Sequence, residues 1–384
     1  MIPFDGERLR RAMRAQNVDV VLAATRHNVR YLTGGYYLSF YARASRFGGG
    51  QYLSMVGIPA KDLSSAFYIG RQDGILNEQD YIDVFGPFWI TNRHWLRRSP
   101  SMSAAAGETA AQVLRAQGYA GSTIAVESSF LPADAFEALR AGLPEASFVN
   151  ATPILGELRA VKQPAELECL RQVDHVVAGA IHAVLSEGRP DQTTRQIATR
   201  VQRRIEEQGA SFLYAFTNVG PGYLRAPSSA PWGRGRPLHL DAGAELDEYI
   251  ADIARMGSIG TPPALAMDLF NASREAQKRV RGAVHAGLPC RDLWRIGTES
   301  VTSGRWGQYG RFLAHGLGMV SHEPPEVNEK NDRQLEASMV VSIETEYLHP
   351  DAGHIKIEDT VVVTPTGHEG LGDIEQDWCV VPDA

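Results

Sequence analysis

Cysteine is scarce in this chain of 384 residues: Cys169, Cys290 and Cys379 lie far apart and form no CxxC pair. A disulfide framework or a structural zinc knot therefore has no support, and the three read as packing residues. Long apolar runs are missing as well. No segment approaches about eighteen uninterrupted apolar residues, and the N-terminus MIPFDGERLRRAMRAQ has no basic stretch leading into an apolar one. Neither a membrane helix nor a secretory leader is expected, which makes the cytoplasm the expected compartment. Positive charge is not concentrated either. Net charge is −7 and the lysines and arginines are scattered, which argues against a nucleic-acid surface. No internal repeat or low-complexity tract is visible.

What is present is an ordinary globular composition, 43% apolar and 22% charged, in a chain too long for one core. Two domains are expected, 1–155 and 156–384. In the first, a helical pattern near Glu7 to Ala15, apolar runs at DVVLAA, YLSMVGI, SAFYIG and STIAVES, and helices at Ala104 to Ala116 and in DAFEALR predict a mixed α/β domain. PFWITNRHWLRRSPS reads as a long loop and Gly48 to Gly50 as a flexible interruption. The second begins with a long amphipathic helix from Pro164 to about Leu185, Pro standing in its first turn. TTRQIATRVQRRIEEQG, LAMDLFNASREAQKRVRGAVHAG and RDLWRIGTESV continue as helices, and SMVVSIETEYL and HIKIEDTVVVT as strands. Helices flanking antiparallel strands predict an α+β domain.

LDAGAELDEYIADIAR, Leu240 to Arg255, carries two aspartates inside an apolar hairpin. A four-residue loop from Glu245 to Glu248 would pair Ala244 with Tyr249 and place Asp241 directly opposite Asp252. Two carboxylates that close in a partly dry interior require a proton or a cation between them. The alternative is a pair of solvent-facing acids on an edge hairpin. Three more fragments bear on the choice: AHGLGMVSHEPP with His315 and His322, VVSIETEY with Glu344, and IKIEDTVVVT with Glu358. Taken singly, each acid fits an outward strand position. Together they form an oxygen-rich, one-imidazole set that suits a pair of divalent Mn, Co, Fe or Zn ions.

These fragments, in this order and spacing, resemble the signature of the pita-bread metallohydrolases, the family of methionine aminopeptidase, aminopeptidase P, prolidase and creatinase. RHNVRYLTGG and ELRAVKQPAELECLR also resemble the N-terminal domain and interdomain entry of the aminopeptidase P, prolidase and creatinase branch. The resemblance implies a pita-bread catalytic domain behind a creatinase/prolidase-like α/β domain. It implies that Asp241 chelates one metal, that Asp252 and Glu358 bridge two, and that His315 and Glu344 complete the second position. It further implies a bridging hydroxide that attacks a peptide or amide C–N bond of a small Xaa-Pro-like substrate, Glu344 passing a proton and His322 contacting the carbonyl or oxyanion. His322 read alone could also cap a turn before Pro324. A homodimer is expected because symmetric pairs are commonest.

Two departures stand out. Peptidases of this family carry a further histidine some seventeen residues before the first metal aspartate; here no histidine lies between His182 and His239, and Tyr223 or Arg225 is the candidate replacement. Lys356 stands where aminopeptidase P and prolidase relatives show arginine, keeping the charge and losing the planar fork. These leave open a non-peptidase relative acting on a small metabolite, and, as a third reading, a metal-free binding scaffold. Aromatics of Gly34 to Phe47, including Tyr37 and Tyr41, are candidate substrate-pocket residues in a dimer, or else core.

Overall fold

Val20–Ala23 is apolar at every position, as a strand with neighbours on both sides and cover on both faces must be, and all four residues are buried. In this computed structural model, which describes residues 2–38, 53–72 and 77–382, that strand (β1) lies inside a six-stranded sheet ordered β4-β3-β2-β1-β5-β6. The others are β2 (Met55–Pro59), β3 (Phe67–Arg71), β4 (Asn92–Leu96), β5 (Thr123–Val126) and β6 (Ser147–Asn150). β1 pairs antiparallel with β2 and parallel with β5. The expected loop at PFWITNRHWLRRSPS contains β4, which runs parallel to β3 at the sheet edge. Its side chains are mostly half-buried, so its sequence lacks the apolar signature of an inner strand. The chain divides into two compact units, Met1–Leu158 and Arg159–Ala384.

In the second unit the helix Pro164–Ser186 opens with Pro in its first turn and a reciprocal cap between Gln163 and Glu166. Thr193 and Gln196 cap the helix Thr194–Glu207 in the same way. The sheet here comprises β7 (Ser211–Val219), β8 (Leu238–Leu246), β9 (Tyr249–Ile259), β10 (Gly310–Gly316), β11 (Glu323–Glu326), β12 (Val340–His349), β13 (Gly353–Val363), β14 (His368–Gly370) and β15 (Cys379–Val381). Its order is β11-β10-β12-β13-β9-β8-β7, with β14 on β13 and β15 on β9.

Strand periodicity decides which face each acid takes. Leu240, Ala242, Ala251 and Ile253 pack with Val173, Val177 and Ile181 of the Pro164–Ser186 helix. Ile355, Ile357 and Tyr347 pack with Leu269 and Phe270 of the helix Ala264–Ala283. Residues one step out of phase, Asp241, Asp252, Glu344 and Glu358, are thereby turned to the opposite face. Each large apolar side chain buried against a helix contributes about 1.5–3 kcal/mol, and this is what holds a polar face in place. Among the described residues no helix is long and apolar enough to cross a membrane.

Candidate metal centre

The β8–β9 turn is tighter than the four-residue loop expected from sequence. Leu246 pairs with Tyr249, and the two turn residues, Asp247 and Glu248, have φ of 51° and 73°. Positive φ at both central positions is the hairpin geometry that matches strand twist, taken here without the usual Asn-Gly. The register consequently moves: Gly243 faces Asp252, and Asp241 faces Ala254. The two aspartates share a face on a diagonal and are not directly opposed. Ala254 in turn faces Glu358, and Glu358 faces Glu344. Asp241, Ala254, Glu358 and Glu344 thus form a row across four strands in which alanine leaves room between carboxylates.

All five expected ligands are buried, between 1% and 7% exposed, so the solvent-facing alternative for the two aspartates is excluded. Asp252, His315 and Glu358 each offer one ligand atom within 4.8 Å of the others. His315 Nε2 lies 3.3 Å from Glu344 Oε1. The row also holds an ammonium: Lys356 Nζ is 3.0 Å from Asp241 Oδ2, 2.6 Å from Glu344 Oε2 and 2.7 Å from Glu358 Oε2. Arg225 Nη2 lies 2.5 Å from the same Asp241 Oδ2, its guanidinium stacked 4.6 Å over Phe216.

Electrostatics follow from this crowding. Burial, then the Asp241 charge, pushes the Asp252 carboxyl up to about 6. Burial raises Glu358 well above the usual range, with Asp252 and Glu344 adding to it. Burial acts in the same direction on Glu344, but Lys356 and His315 outweigh it and hold Glu344 at about 2. Burial depresses His315, and the Glu344 carboxylate more than offsets that, so its imidazole is raised. The donor set fits a divalent ion at one position: Asp252 and Glu358 supply oxygens and His315 a nitrogen, and among the described residues His315 Nε2 is buried with no hydrogen-bond partner. At the Asp241 position the ligand oxygen already carries two cationic donors.

His322 is exposed at the rim, its ring stacked on His315 with centroids 3.8 Å apart. Burial and the neighbouring His315 lower it, and its Nδ1 is 3.1 Å from Ser321 Oγ. Tyr223 is about half exposed with its hydroxyl 3.4 Å from the Leu348 carbonyl, and among the described residues no hydrogen bond joins it to the carboxylates. Tyr37 is partly buried against the core of the first unit; Tyr41 lies outside the described residues.

Tyr214 escaped the sequence reading. Its hydroxyl donates to Asp252 Oδ1, and burial followed by that carboxylate raises its own ionisation far above the ordinary tyrosine range. The available signal was Gly243, a glycine in mid-strand. It pairs with Tyr214, and a Cβ there would meet the Tyr214 ring at 2.4 Å. His239 and His354 were missed too: their rings stack 4.3 Å apart behind Asp241, and His354 Nε2 is 2.5 Å from Glu346.

Comparison with known proteins is consistent with this geometry. The family model described as metallopeptidase family M24 matches residues 168–365, and that of the creatinase/prolidase N-terminal domain matches 7–161. An uncharacterized peptidase of Staphylococcus haemolyticus is 29% identical over 221 residues, 56% of this chain and 63% of that protein, so the matched region spans under two thirds of that relative. An Xaa-Pro dipeptidase of Pyrococcus horikoshii is 26% identical over 264 residues, 66% of this chain and 74% of that one. Among solved structures, an Xaa-Pro dipeptidase from Bacillus anthracis superimposes with a TM-score of 0.81 at 22% identity, covering 98% of this chain and 99% of the other. That likeness establishes the fold, an α/β domain followed by a pita-bread domain.

Proposed function

The chain belongs to metallopeptidase family M24, and from that premise we propose that it is a metal-dependent hydrolase cleaving the C–N bond of a small Xaa-Pro-type peptide or amide. The observation that carries this reading is the burial of Asp241, Asp252, His315, Glu344 and Glu358 on one face of one sheet. Divalent metal bound there, of the Mn, Co, Fe or Zn kind, would polarise the scissile carbonyl and acidify a water. Glu344, held ionised at neutral pH, can take a proton from the attacking water and return it to the leaving nitrogen. His322, with Nδ1 against Ser321, presents Nε2 to a developing oxyanion. Arg225, part exposed beside Asp241, offers positive charge to a substrate bearing an anionic group near the scissile bond; a small metabolite amide is the second reading this observation supports.

The test is a screen of Xaa-Pro dipeptides, longer Xaa-Pro peptides and metabolite amides with the metal-loaded protein. Turnover of a peptide is expected, falling about a hundredfold to ten-thousandfold in Glu344→Gln. Peptides left intact while an amide is cleaved would move the assignment to the metabolite reading.

A further inference from the structure

We infer that this chain takes a single divalent ion, at Asp252, His315 and Glu358, and that the Lys356 ammonium fills the position where a second ion would need Asp241. The inference rests on the metal reading of the centre above, and does not depend on which substrate is cleaved.

Geometry carries the first step. A second dication at the other end of the row would need Asp241 and Glu358 and would come close to Glu344. Lys356 Nζ already touches all three, at 3.0, 2.7 and 2.6 Å, and Arg225 Nη2 occupies the same Asp241 oxygen at 2.5 Å. An ion sharing those oxygens would sit within a few ångströms of two like charges in a dry site, where repulsion is least screened.

Charge gives the second step. Asp241, Asp252, Glu344 and Glu358 supply four negative charges when ionised; Lys356 and Arg225 return two, leaving a deficit that one dication closes. A second dication would leave two uncompensated positive charges among buried groups, where unpaired charge is least tolerated.

Mobility gives the third. Lys356 is 3% exposed and sits in mid-β13. To make way for an ion its ammonium would have to leave three carboxylates and remain buried without a partner. An arginine at this position could withdraw its charge along a longer, planar head group while still donating to Asp241; lysine presents a compact point charge.

The experiment counts ions. Protein stripped with chelator, then titrated with Mn(II) and freed of excess, is expected to retain one Mn per chain by elemental analysis, with the paramagnetic resonance spectrum of an isolated ion. Two equivalents with an exchange-coupled spectrum would overturn the inference, as would none. Lys356→Met and Lys356→Arg are both expected to raise the count to two; a Lys356→Met protein that stays folded and still holds one ion would also overturn it. If Lys356→Met fails to fold, the wild-type count decides alone. The outcomes separate from those of the peptide screen: two ions with peptide cleavage defeats only this inference, and one ion with every peptide intact defeats only the peptidase assignment.

Discussion

Replacing Glu323 by Gln tests how the rim of the centre is held. Glu323 follows His322 and is buried between two cations, Arg159 Nε at 3.0 Å and Lys162 Nζ at 3.0 Å. The packing there is close enough that a Cβ on Gly318 would meet Glu323 Oε1 at 2.1 Å. Glutamine keeps the shape and removes the negative charge that sits between these two buried cations. Breaking a buried pair in this way costs about 3–5 kcal/mol, and for a unit of this size about 2–4 °C of Tm per kcal/mol converts that to a drop of about 6–20 °C. Lys162→Met should cost less, because Arg159 and Glu323 remain paired and neutral. The acid limb gives a second check. Burial pushes the Glu323 carboxyl up, but Lys162 and Arg159 outweigh it and hold it below the ordinary value. Its contribution is therefore fully present above the unfolded pKa of about 4.3 and is lost as pH falls through the folded one. Denaturant titrations of wild type and both variants at neutral and acid pH measure all of this. A Glu323→Gln loss under about 1 kcal/mol, an effect no larger than that of Lys162→Met, or a gap that stays constant into acid would refute the charge argument.

Tyr214→Phe removes the hydroxyl that donates to Asp252; Mn(II) affinity should weaken about 10–100-fold by calorimetric titration, and unchanged affinity would show that the hydroxyl does not orient the ligand. Asp174 is fully buried, and burial, with the charges of Asp359 and Asp252, raises its pKa well above the usual range. Its stabilising form is fully present below the unfolded pKa of about 3.9 and is lost as pH rises through the raised value, so thermal melts should shift in favour of Asp174→Asn with increasing pH. A difference that does not change with pH refutes this.

Residue types and their order made the family legible before any coordinate and singled out five residues that prove to be buried, because a carboxylate inside an apolar strand is expensive wherever it occurs and so marks itself. Register was not legible in the same way. The expected loop from Glu245 to Glu248 rests on acidic residues being turn formers, yet the chain turns on Asp247 and Glu248 alone, both at positive φ. Neither is the glycine or asparagine that usually announces this turn. Moving the pairing in by two residues kept every side chain on its face, which is why the acids still share a face while the predicted Asp241–Asp252 pairing does not occur. β4 was invisible for a different reason: NRHWL at a sheet edge carries polar side chains that a buried strand would not.

The contacts that the cations make are the part that no spacing could reveal. Lys356 and Glu358 share strand parity, and in sequence this is compatible with any solvated face. What makes Lys356 part of the centre is a long-range alignment: Asp241 opposite Ala254, Ala254 opposite Glu358, and Glu358 opposite Glu344. Ala254 matters most in that row. A larger side chain at the one position without a charge would stand between the two halves of the acid cluster, keeping the ammonium from reaching Asp241 and Glu344 together. Because it is alanine, one point charge spans three carboxylates from three strands. The resulting balance between protein cation and metal cation is a property of the folded register, set by where β9 meets β13.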